Sequence, residues 1–181
     1  MPADSRLQIL PEHEIPDSLC GEIAGLLETC FPGTFEARIY CKQLPHFRLL
    51  FWTDGKLVAQ LGIDSRVINV DGRILKIFGV IDLCVHPEHR GRGIASQLLS
   101  KAEEIARSSH RDFLVLMGDR HDLYLRSGFL RVEPAVTRWL AIDERRTVDV
   151  FLRDLSDCFL VKSLSGQPWP AGEIDLLGYL F

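Results

Sequence analysis

The sequence is poor in cysteine, and none of its cysteines stands in a Cys-x-x-Cys spacing. Five cysteines among 181 residues are an odd number, which argues against a disulfide framework and against a zinc site. Free cysteines are typical of a reducing compartment. We therefore expect a cytoplasmic protein that needs no metal.

Basic residues are not in excess, and long apolar runs are missing. Lys and Arg number 21 against 25 Asp and Glu, which gives a formal net charge of −4. A surface that coats nucleic acid needs clustered basic residues, so we expect no nucleic-acid partner. No apolar run approaches the ~18 residues of a membrane span, and the first residues lack the apolar stretch of a signal peptide. We expect no membrane partner either.

The sequence also lacks interdomain linkers, internal repeats and low-complexity tracts. A chain of 181 residues with 46% hydrophobic and 25% charged residues has the length and composition of one ordinary globular domain. Such a domain buries roughly 70% of its unfolded surface, which suffices for a core without disulfides. The sequence therefore predicts a single domain over residues 1–181.

The most informative stretch that is present covers Leu83–Ser96. A strand-like apolar run ends at a proline, and Gly91 and Gly93 then lead directly into an amphipathic helical pattern. The first N–H groups of a helix lack intrahelical acceptors and carry a partial positive charge. Glycines let a phosphate approach that backbone, and Arg90 and Arg92 add permanent charge. This pattern predicts an anion-binding turn, with a pyrophosphate as its ligand.

Hydrophobic periodicity and turn residues predict the remaining elements. Asp54-Gly55 and Asp71-Gly72 are strong hairpin signals. We expect strands at Leu7–Leu10, Phe47–Trp52, Leu57–Ile63, Val67–Val70, Arg73–Val85, Phe113–Met117, Phe129–Val132, Thr137–Ile142, Val148–Leu152 and Cys158–Leu164. We expect helices from Asp17 or Ser18 to Cys30, around Ala37–Leu44, over Ile94–Ser108 and around Tyr124.

The order of these elements predicts the fold class. Antiparallel hairpins followed by a strand–helix–strand unit indicate an α/β (α+β) fold with a mixed, mostly antiparallel central sheet flanked by helices. The hairpin-rich first half argues against a dinucleotide-binding Rossmann domain, which needs a continuous βαβαβ order. No Walker A sequence is present.

Three motifs resemble the GNAT superfamily of N-acyltransferases. Arg90–Ala95 resembles its Arg/Gln-x-x-Gly-x-Gly/Ala acetyl-CoA signature, Asp82–Pro87 its fourth strand, and Tyr124–Phe129 its later Tyr-x-x-x-Gly-Phe element. The resemblance implies a GNAT-like fold and acetyl-CoA as co-substrate. The residues that it places against CoA are Leu83, Cys84, Val85, Arg90, Gly91, Arg92, Gly93, Ile94, Ala95 and Ser96.

The same resemblance implies candidate catalytic residues. The thioester would lie along Asp82–Val85, where the backbone N–H of Leu83 or Cys84 would stabilise the oxyanion. Tyr124 corresponds to the superfamily's acid, which protonates the departing thiolate. Asp82 could act as the base through water, or it could be a structural carboxylate, and both interpretations stay open. Strand alternation places Asp82 on one face with Val80 and Cys84.

Two other chemistries are weaker interpretations of the same segment. His86-x-x-His89 has a metal-ligand spacing, but no third ligand is evident, so we expect no metal site. Cys84 as a covalent nucleophile lacks a base partner, and buried cysteines usually fill core space.

Weaker resemblances concern the acceptor. Cys30–Phe35 and Trp169–Glu173 resemble aminoglycoside 2′-N-acetyltransferases, and the latter segment also resembles nodulation N-acyltransferases. These resemblances imply acceptor-binding roles for Thr34, Phe35 and Glu173. However, Thr34, Ile39 and Ile81 stand where the aminoglycoside enzymes carry acids, so we expect polycationic aminoglycosides to be poor acceptors.

Together these observations predict a single-domain N-acetyltransferase that moves an acetyl group from acetyl-CoA directly to the primary amine of a small molecule, amino-sugar-like or other. Two alternatives stay open: an N-acyltransferase with a longer acyl donor, and a catalytically silent CoA-binding or sensing module. The sequence also leaves both a monomer and a homodimer open.

Overall fold

A computed structural model describes residues 4–143 and 145–181. The chain divides into two compact units, of which the first comprises Met1–Asp64 and Ile81–Ala102 and the second Ser65–Val80 and Glu103–Phe181. Two long strands, β3 (Lys56–Val70) and β4 (Arg73–Val85), contribute residues to both units, as does helix α2 (Ile94–Ser108).

The first unit carries β1 (Ser5–Pro11), α1 (Asp17–Cys30) and β2 (Phe47–Thr53) besides its parts of β3, β4 and α2. β1 pairs antiparallel with β2, β2 pairs antiparallel with β3, and β4 lies next to β3. One side of α1 is apolar and packs on these strands. The resulting core cluster consists of Ile23, Leu26, Leu27, Phe35, Leu50, Trp52 and Cys84.

The second unit carries β5 (Phe113–Met117), α3 (His121–Arg126), β6 (Leu130–Arg131), β7 (Val136–Asp143), β8 (Arg146–Asp154), β9 (Phe159–Ser163) and β10 (Ile174–Tyr179). With its parts of β3 and β4, the strand order is β6-β9-β5-β4-β3-β10-β7-β8. The β4–β5 and β10–β7 pairs are parallel, and the pairs β5–β9, β6–β9, β3–β10 and β7–β8 are antiparallel.

The structure confirms the predicted fold class, a mixed and mostly antiparallel sheet with helices. The predicted bounds of β4, β5 and α2 agree with the structure, and Ile94, Leu98, Leu99, Ala102 and Ala106 form the buried side of α2. β3 is one continuous strand, although the sequence suggested two. Among the described residues, no helix is long and apolar enough to cross a bilayer.

Two local predictions are wrong, and one strand was not predicted. Residues 37–44 form bends rather than a helix, because Glu36 and Ala37 adopt left-handed φ angles of 50° and 62°. Helix α1 is preceded by Pro16, so neither Asp17 nor Ser18 caps it with a side chain. β10 was not predicted, and Leu177 within it has a φ of 49°.

Candidate active site

The predicted anion-binding turn joins β4 to α2 in the first unit. Gly91 and Gly93 have φ angles of 77° and 76°, which L side chains rarely adopt, and a Cβ built on either would meet nothing within 4 Å. The Gly93 carbonyl accepts from the Gln97 N–H at 3.1 Å, so α2 starts directly after it. The first N–H groups of the helix therefore follow an open, glycine-lined backbone, as an anion site requires.

Both arginines of the turn donate hydrogen bonds to backbone carbonyls of the same loop. Arg90 Nε donates to the Val85 carbonyl at 3.0 Å, and an Arg92 guanidinium N–H donates to the Glu88 carbonyl at 3.0 Å. Each bond uses one donor of a guanidinium that has five. Both side chains are exposed. The turn thus holds two fixed positive charges beside a helix start, which suits a pyrophosphate.

The other residues predicted to bind the co-substrate lie around this turn. Ile94, the first residue of α2, is buried, Ala95 is half-buried and Ser96 is exposed. Leu83 and Val85 are half-buried at the end of β4. The residues predicted to bind the co-substrate therefore lie together within one unit, with the backbone of Ala95 and Ser96 at the open start of the helix.

β4 is irregular at Asp82. This residue has a φ of 52°, a left-handed conformation that a regular strand residue does not adopt. The predicted alternation, which placed Asp82 on the face of Val80 and Cys84, is interrupted at this residue. An irregularity of this kind leaves backbone groups without a strand partner and directs them elsewhere. Such a feature suits a strand that must offer an N–H to a ligand.

A buried hydrogen-bond relay supports this irregularity. The Gln60 amide donates to the Asp82 carbonyl at 3.1 Å, and the Gln60 side-chain oxygen accepts from Arg48 at 2.8 Å. Arg48 is fully buried, forms two hydrogen bonds to the Glu12 carboxylate at 2.8 and 2.9 Å, and donates to the Ile39 carbonyl at 2.6 Å. A paired guanidinium with satisfied donors is the form in which a buried charge is tolerated.

Burial decides the pKa of Asp82, and two residues of the relay modify it. Burial raises the pKa of the Asp82 carboxyl from 3.8 to about 6, Arg48 opposes this rise, and the Glu12 carboxylate adds to it. The group is therefore ionised at neutral pH but only weakly acidic, as a general base requires. Arg48, Gln60 and Glu12 were not predicted from the sequence. The available signals were Arg48 within the apolar run Phe47–Trp52 and Gln60 within Leu57–Ile63, whereas nothing marked Glu12.

Cys84 adjoins a second cysteine that sequence analysis did not connect with it. Cys30, the last residue of α1, packs against the cluster that contains Cys84. The hydrogen bond from Cys84 lowers the pKa of the Cys30 thiol to about 7, and Arg90 lowers it further while burial opposes. The bond to Cys30 and burial raise the pKa of the Cys84 thiol. A raised pKa keeps the Cys84 thiol protonated, which argues against its alternative role as a covalent nucleophile.

The predicted acid, Tyr124, lies in α3 of the second unit. Its ring packs edge-on against Phe129, with centroids 6.0 Å apart, and over Gly118, where a built Cβ would come within 2.7 Å of the ring. Burial and the Asp119 carboxylate raise the pKa of the Tyr124 hydroxyl, and Arg120 opposes this. The phenol therefore keeps its proton at neutral pH, as an acid must.

The end of α3 is held by a lysine. Lys162 Nζ donates to the Ser127 carbonyl at 2.7 Å and to the Glu103 carboxylate at 2.5 Å. Gly128 follows with a φ of 84°, the left-handed conformation that glycine commonly adopts just after a helix. These contacts fix the short helix on which Tyr124 stands.

The predicted acceptor residues have different surroundings. Thr34 is exposed, but Phe35 is only 2% exposed and packs in the core cluster, so its side chain anchors the loop rather than lining an open site. Glu173 belongs to the second unit and pairs with Arg138 at 2.9 Å. A carboxylate that already has a guanidinium partner is a weaker anchor for an amine.

Two further features complete the first unit. A cleft of about 310 Å³ lies between α1 and the β2–β3 turn and reaches His86 at the start of the anion-binding turn. The rings of His86 and His89 lie 6.0 Å apart, and no group of three or more His, Cys, Asp or Glu residues in the described chain is arranged to hold a metal ion.

Comparison with known families decides the assignment. The profile of the acetyltransferase (GNAT) domain matches residues 13–132, which is more than half of the chain. The chain belongs to the GNAT acetyltransferases.

Solved GNAT structures share this fold at low sequence identity. The Escherichia coli protein YhbS, solved in complex with CoA, is 20% identical, with a TM-score of 0.67 over 97% of this chain and 91% of YhbS. A Brucella melitensis GNAT acetyltransferase in complex with acetyl-CoA is 17% identical, with a TM-score of 0.60 over 93% of this chain and 94% of the other.

Escherichia coli ElaA is 20% identical, with a TM-score of 0.61 over 88% of this chain and 99% of ElaA. Some similar proteins are longer: the chain covers 40% of a GCN5-related N-acetyltransferase from Kribbella flavida, at 19% identity and a TM-score of 0.55 over 75% of this chain. A comparison with curated proteins gives no match.

Proposed function

We propose that this GNAT protein transfers an acetyl group from acetyl-CoA to the primary amine of a small molecule. The observation that carries the proposal is the open glycine turn at the start of α2, directly after a strand whose backbone is irregular at Asp82. Two similar structures bear CoA or acetyl-CoA, which supports the choice of donor.

The chemistry at β4 follows from its residues. Asp82 accepts a proton from the ammonium form of the acceptor, directly or through one water, and the neutral amine attacks the thioester carbonyl. The oxyanion of the tetrahedral intermediate accepts a hydrogen bond from the Leu83 or Cys84 N–H. When the intermediate collapses, the C–S bond breaks, the nitrogen gives its second proton to water, the neutral amide remains and CoA departs as a thiolate.

The thiolate then needs a proton, and we assign this role to Tyr124. The assignment rests on its position in Tyr-x-x-x-Gly-Phe and on its own surroundings, which keep the hydroxyl protonated. In water, transfer from a phenol to a thiolate is uphill by about 2 kcal/mol. A phenol positioned in a dry site can still deliver its proton as the thiolate forms.

The acceptor that fits best carries a single amine rather than several. Thr34, Ile39 and Ile81 supply no negative charge, and Glu173 is already paired with Arg138. Because a polycation gains little attraction from these residues, aminoglycosides are expected to turn over far below a good enzyme's ~10⁵ M⁻¹ s⁻¹.

The experiment that tests this function measures thiol release from acetyl-CoA against amino sugars, polyamines, amino acids, peptides and aminoglycosides. Stimulation by one small amine, with the acetylated product found by mass spectrometry, is the expected result. Parallel assays with longer acyl-CoA donors detect a preference for another acyl chain. Slow hydrolysis that no acceptor stimulates would instead identify a CoA-binding module without transferase activity.

A further inference from the structure

Cys30 and Cys84 are distant in sequence but meet in the core of the first unit. Cys30 is the last residue of α1, and Cys84 lies near the end of β4. The Cys84 thiol donates a hydrogen bond to the Cys30 sulfur, and Cys30 packs against the core cluster that contains Cys84. Side chains that share a hydrogen bond point toward each other, which a disulfide also requires.

The two thiols differ in exposure and in charge. Cys30 is half-buried, so a small oxidant can reach it from solvent, whereas Cys84 is only 6% exposed. The hydrogen bond from Cys84 lowers the pKa of the Cys30 thiol to about 7, burial opposes this, and the neighbouring Arg90 guanidinium lowers it further. Oxidants react with thiolates rather than thiols, so Cys30 is the residue that reacts first.

Cys84 is placed to complete a reaction that begins at Cys30. The hydrogen bond to Cys30, burial and the negative charge of Cys30 raise the pKa of the Cys84 thiol. A sulfenic acid at Cys30 is neutral, so its formation removes that negative charge and the thiolate acceptor of the hydrogen bond. Oxidation of Cys30 therefore makes Cys84 a better nucleophile at the stage when the Cys30 sulfur becomes electrophilic.

We propose that Cys30 and Cys84 form a redox-active thiol pair, which a peroxide converts to a disulfide between α1 and β4. The Cys30 thiolate attacks one peroxide oxygen, the O–O bond breaks, and the departing hydroxide takes up the proton that Cys30 had released. The Cys84 thiol then attacks the Cys30 sulfenic acid, the S–S bond forms, the S–O bond breaks, and the second hydroxide takes the Cys84 proton. Two thiols and one hydrogen peroxide give one disulfide and two waters.

The proposed disulfide is a modification site next to the anion-binding turn. Cys84 precedes that turn on β4, and Arg90 of the turn is hydrogen-bonded to Cys30. In a reducing compartment such a bond is transient, because small thiols reduce it again, and transient disulfides are typical of redox sensing. This inference does not depend on the proposed acetyl transfer.

The first test identifies the oxidation product. The folded, reduced protein is treated with a few equivalents of hydrogen peroxide, remaining thiols are blocked with N-ethylmaleimide, and the peptides are mapped without reduction. We expect one disulfide, between Cys30 and Cys84, that dithiothreitol reverses. A disulfide from Cys30 to Cys41, which packs against the same cluster, would overturn the proposal. So would a sulfinic acid on Cys30 without a disulfide, or five thiols that all remain free.

The second test checks the order of attack. Cys84→Ala should stop at a sulfenic acid on Cys30 that dimedone traps, although more slowly, since the hydrogen bond that lowers the pKa of Cys30 is gone. Cys30→Ala should leave Cys84 as a thiol. Burial and Asp157 raise the pKa of Cys158 to about 11, so Cys158→Ala is the control and should form the disulfide at the wild-type rate. Dimedone on Cys84 in Cys30→Ala, or none on Cys30 in Cys84→Ala after longer exposure, would refute the assigned roles. Mapping of the wild type does not depend on how these variants fold.

Discussion

Replacing Asp82 by Asn should stabilise the protein while it impairs catalysis. Burial raises the pKa of the Asp82 carboxyl from 3.8 to about 6. The folded state therefore binds this proton more tightly than the unfolded chain does. The contribution of Asp82 to stability is complete below about pH 4 and is lost as the pH rises through about 6.

The size of the effect follows from the shift. A pKa raised from 3.8 to about 6 corresponds to an upper limit of ~3 kcal/mol at neutral pH, which partial exposure reduces. Asn has nearly the same shape and no charge, so it avoids this cost. We expect the free energy of unfolding of Asp82→Asn to exceed that of the wild type by ~1–3 kcal/mol at pH 7.5 and to equal it near pH 4.

Urea unfolding at several pH values between 4 and 8 measures this difference. Asp71→Asn makes the same chemical change at an exposed turn and is the matched control for the loss of one carboxylate. In parallel, acetyl transfer by Asp82→Asn should be slow at pH 7 and should recover as the pH rises and free amine becomes available. A stability difference that is constant with pH would refute the raised pKa. A wild-type rate at pH 7 would refute the base role.

Three further predictions concern other residues. Tyr124→Phe should lower kcat roughly 10²–10⁴-fold with CoA affinity unchanged, and a single-turnover rate within about threefold of wild type would make the tyrosine structural. Gly93→Ala should weaken CoA binding at least ~10-fold in calorimetry. Gly166 has a similar φ of 79° and also faces open space, so Gly166→Ala is the control and should leave CoA binding unchanged. Equal CoA affinities of the two variants would count against the anion-binding turn. Arg48→Met should destabilise the fold by ~3–5 kcal/mol because Glu12 loses its partner. Because Arg48 lowers the pKa of Asp82, the loss of residual activity at low pH should begin at a higher pH in this variant. An unchanged pH profile would show that Arg48 does not influence the base.

Sequence reasoning succeeded where local signals decide the structure. β4 lies between an Asp-Gly turn and a proline, and the apolar residues of α2 repeat at helical spacing, so both elements could be predicted to the residue. The anion-binding turn is equally local. The helix predicted over Ala37–Leu44 does not form, because Glu36 and Ala37 have a left-handed backbone at its start. Neither Glu nor Ala is a residue type that indicates this conformation.

The candidate site was predictable only in part, because several of its contacts are distant in sequence. The Gln60 amide and the Asp82 carbonyl meet through strand pairing, and Arg48 on β2 reaches Glu12 in the turn that follows β1. Glu173 could be singled out by resemblance, but its pairing with Arg138 depends on how β10 lies beside β7. The roles of Asp82 and Tyr124, the single domain and the cytoplasmic location stay predictions.

The reactivity of Cys30, which is hydrogen-bonded to Cys84, should depend on whether the anion-binding turn holds a ligand. A thiol whose pKa is about 7 is partly ionised at physiological pH, so iodoacetamide should alkylate Cys30 ahead of Cys84, whose pKa is raised. Arg90, which helps to ionise Cys30, is also a residue of the anion-binding turn. An anion that draws the Arg90 guanidinium toward itself would leave Cys30 more fully protonated and slow its alkylation, so the labelling rate of one cysteine would read the occupancy of the turn without any enzymatic assay.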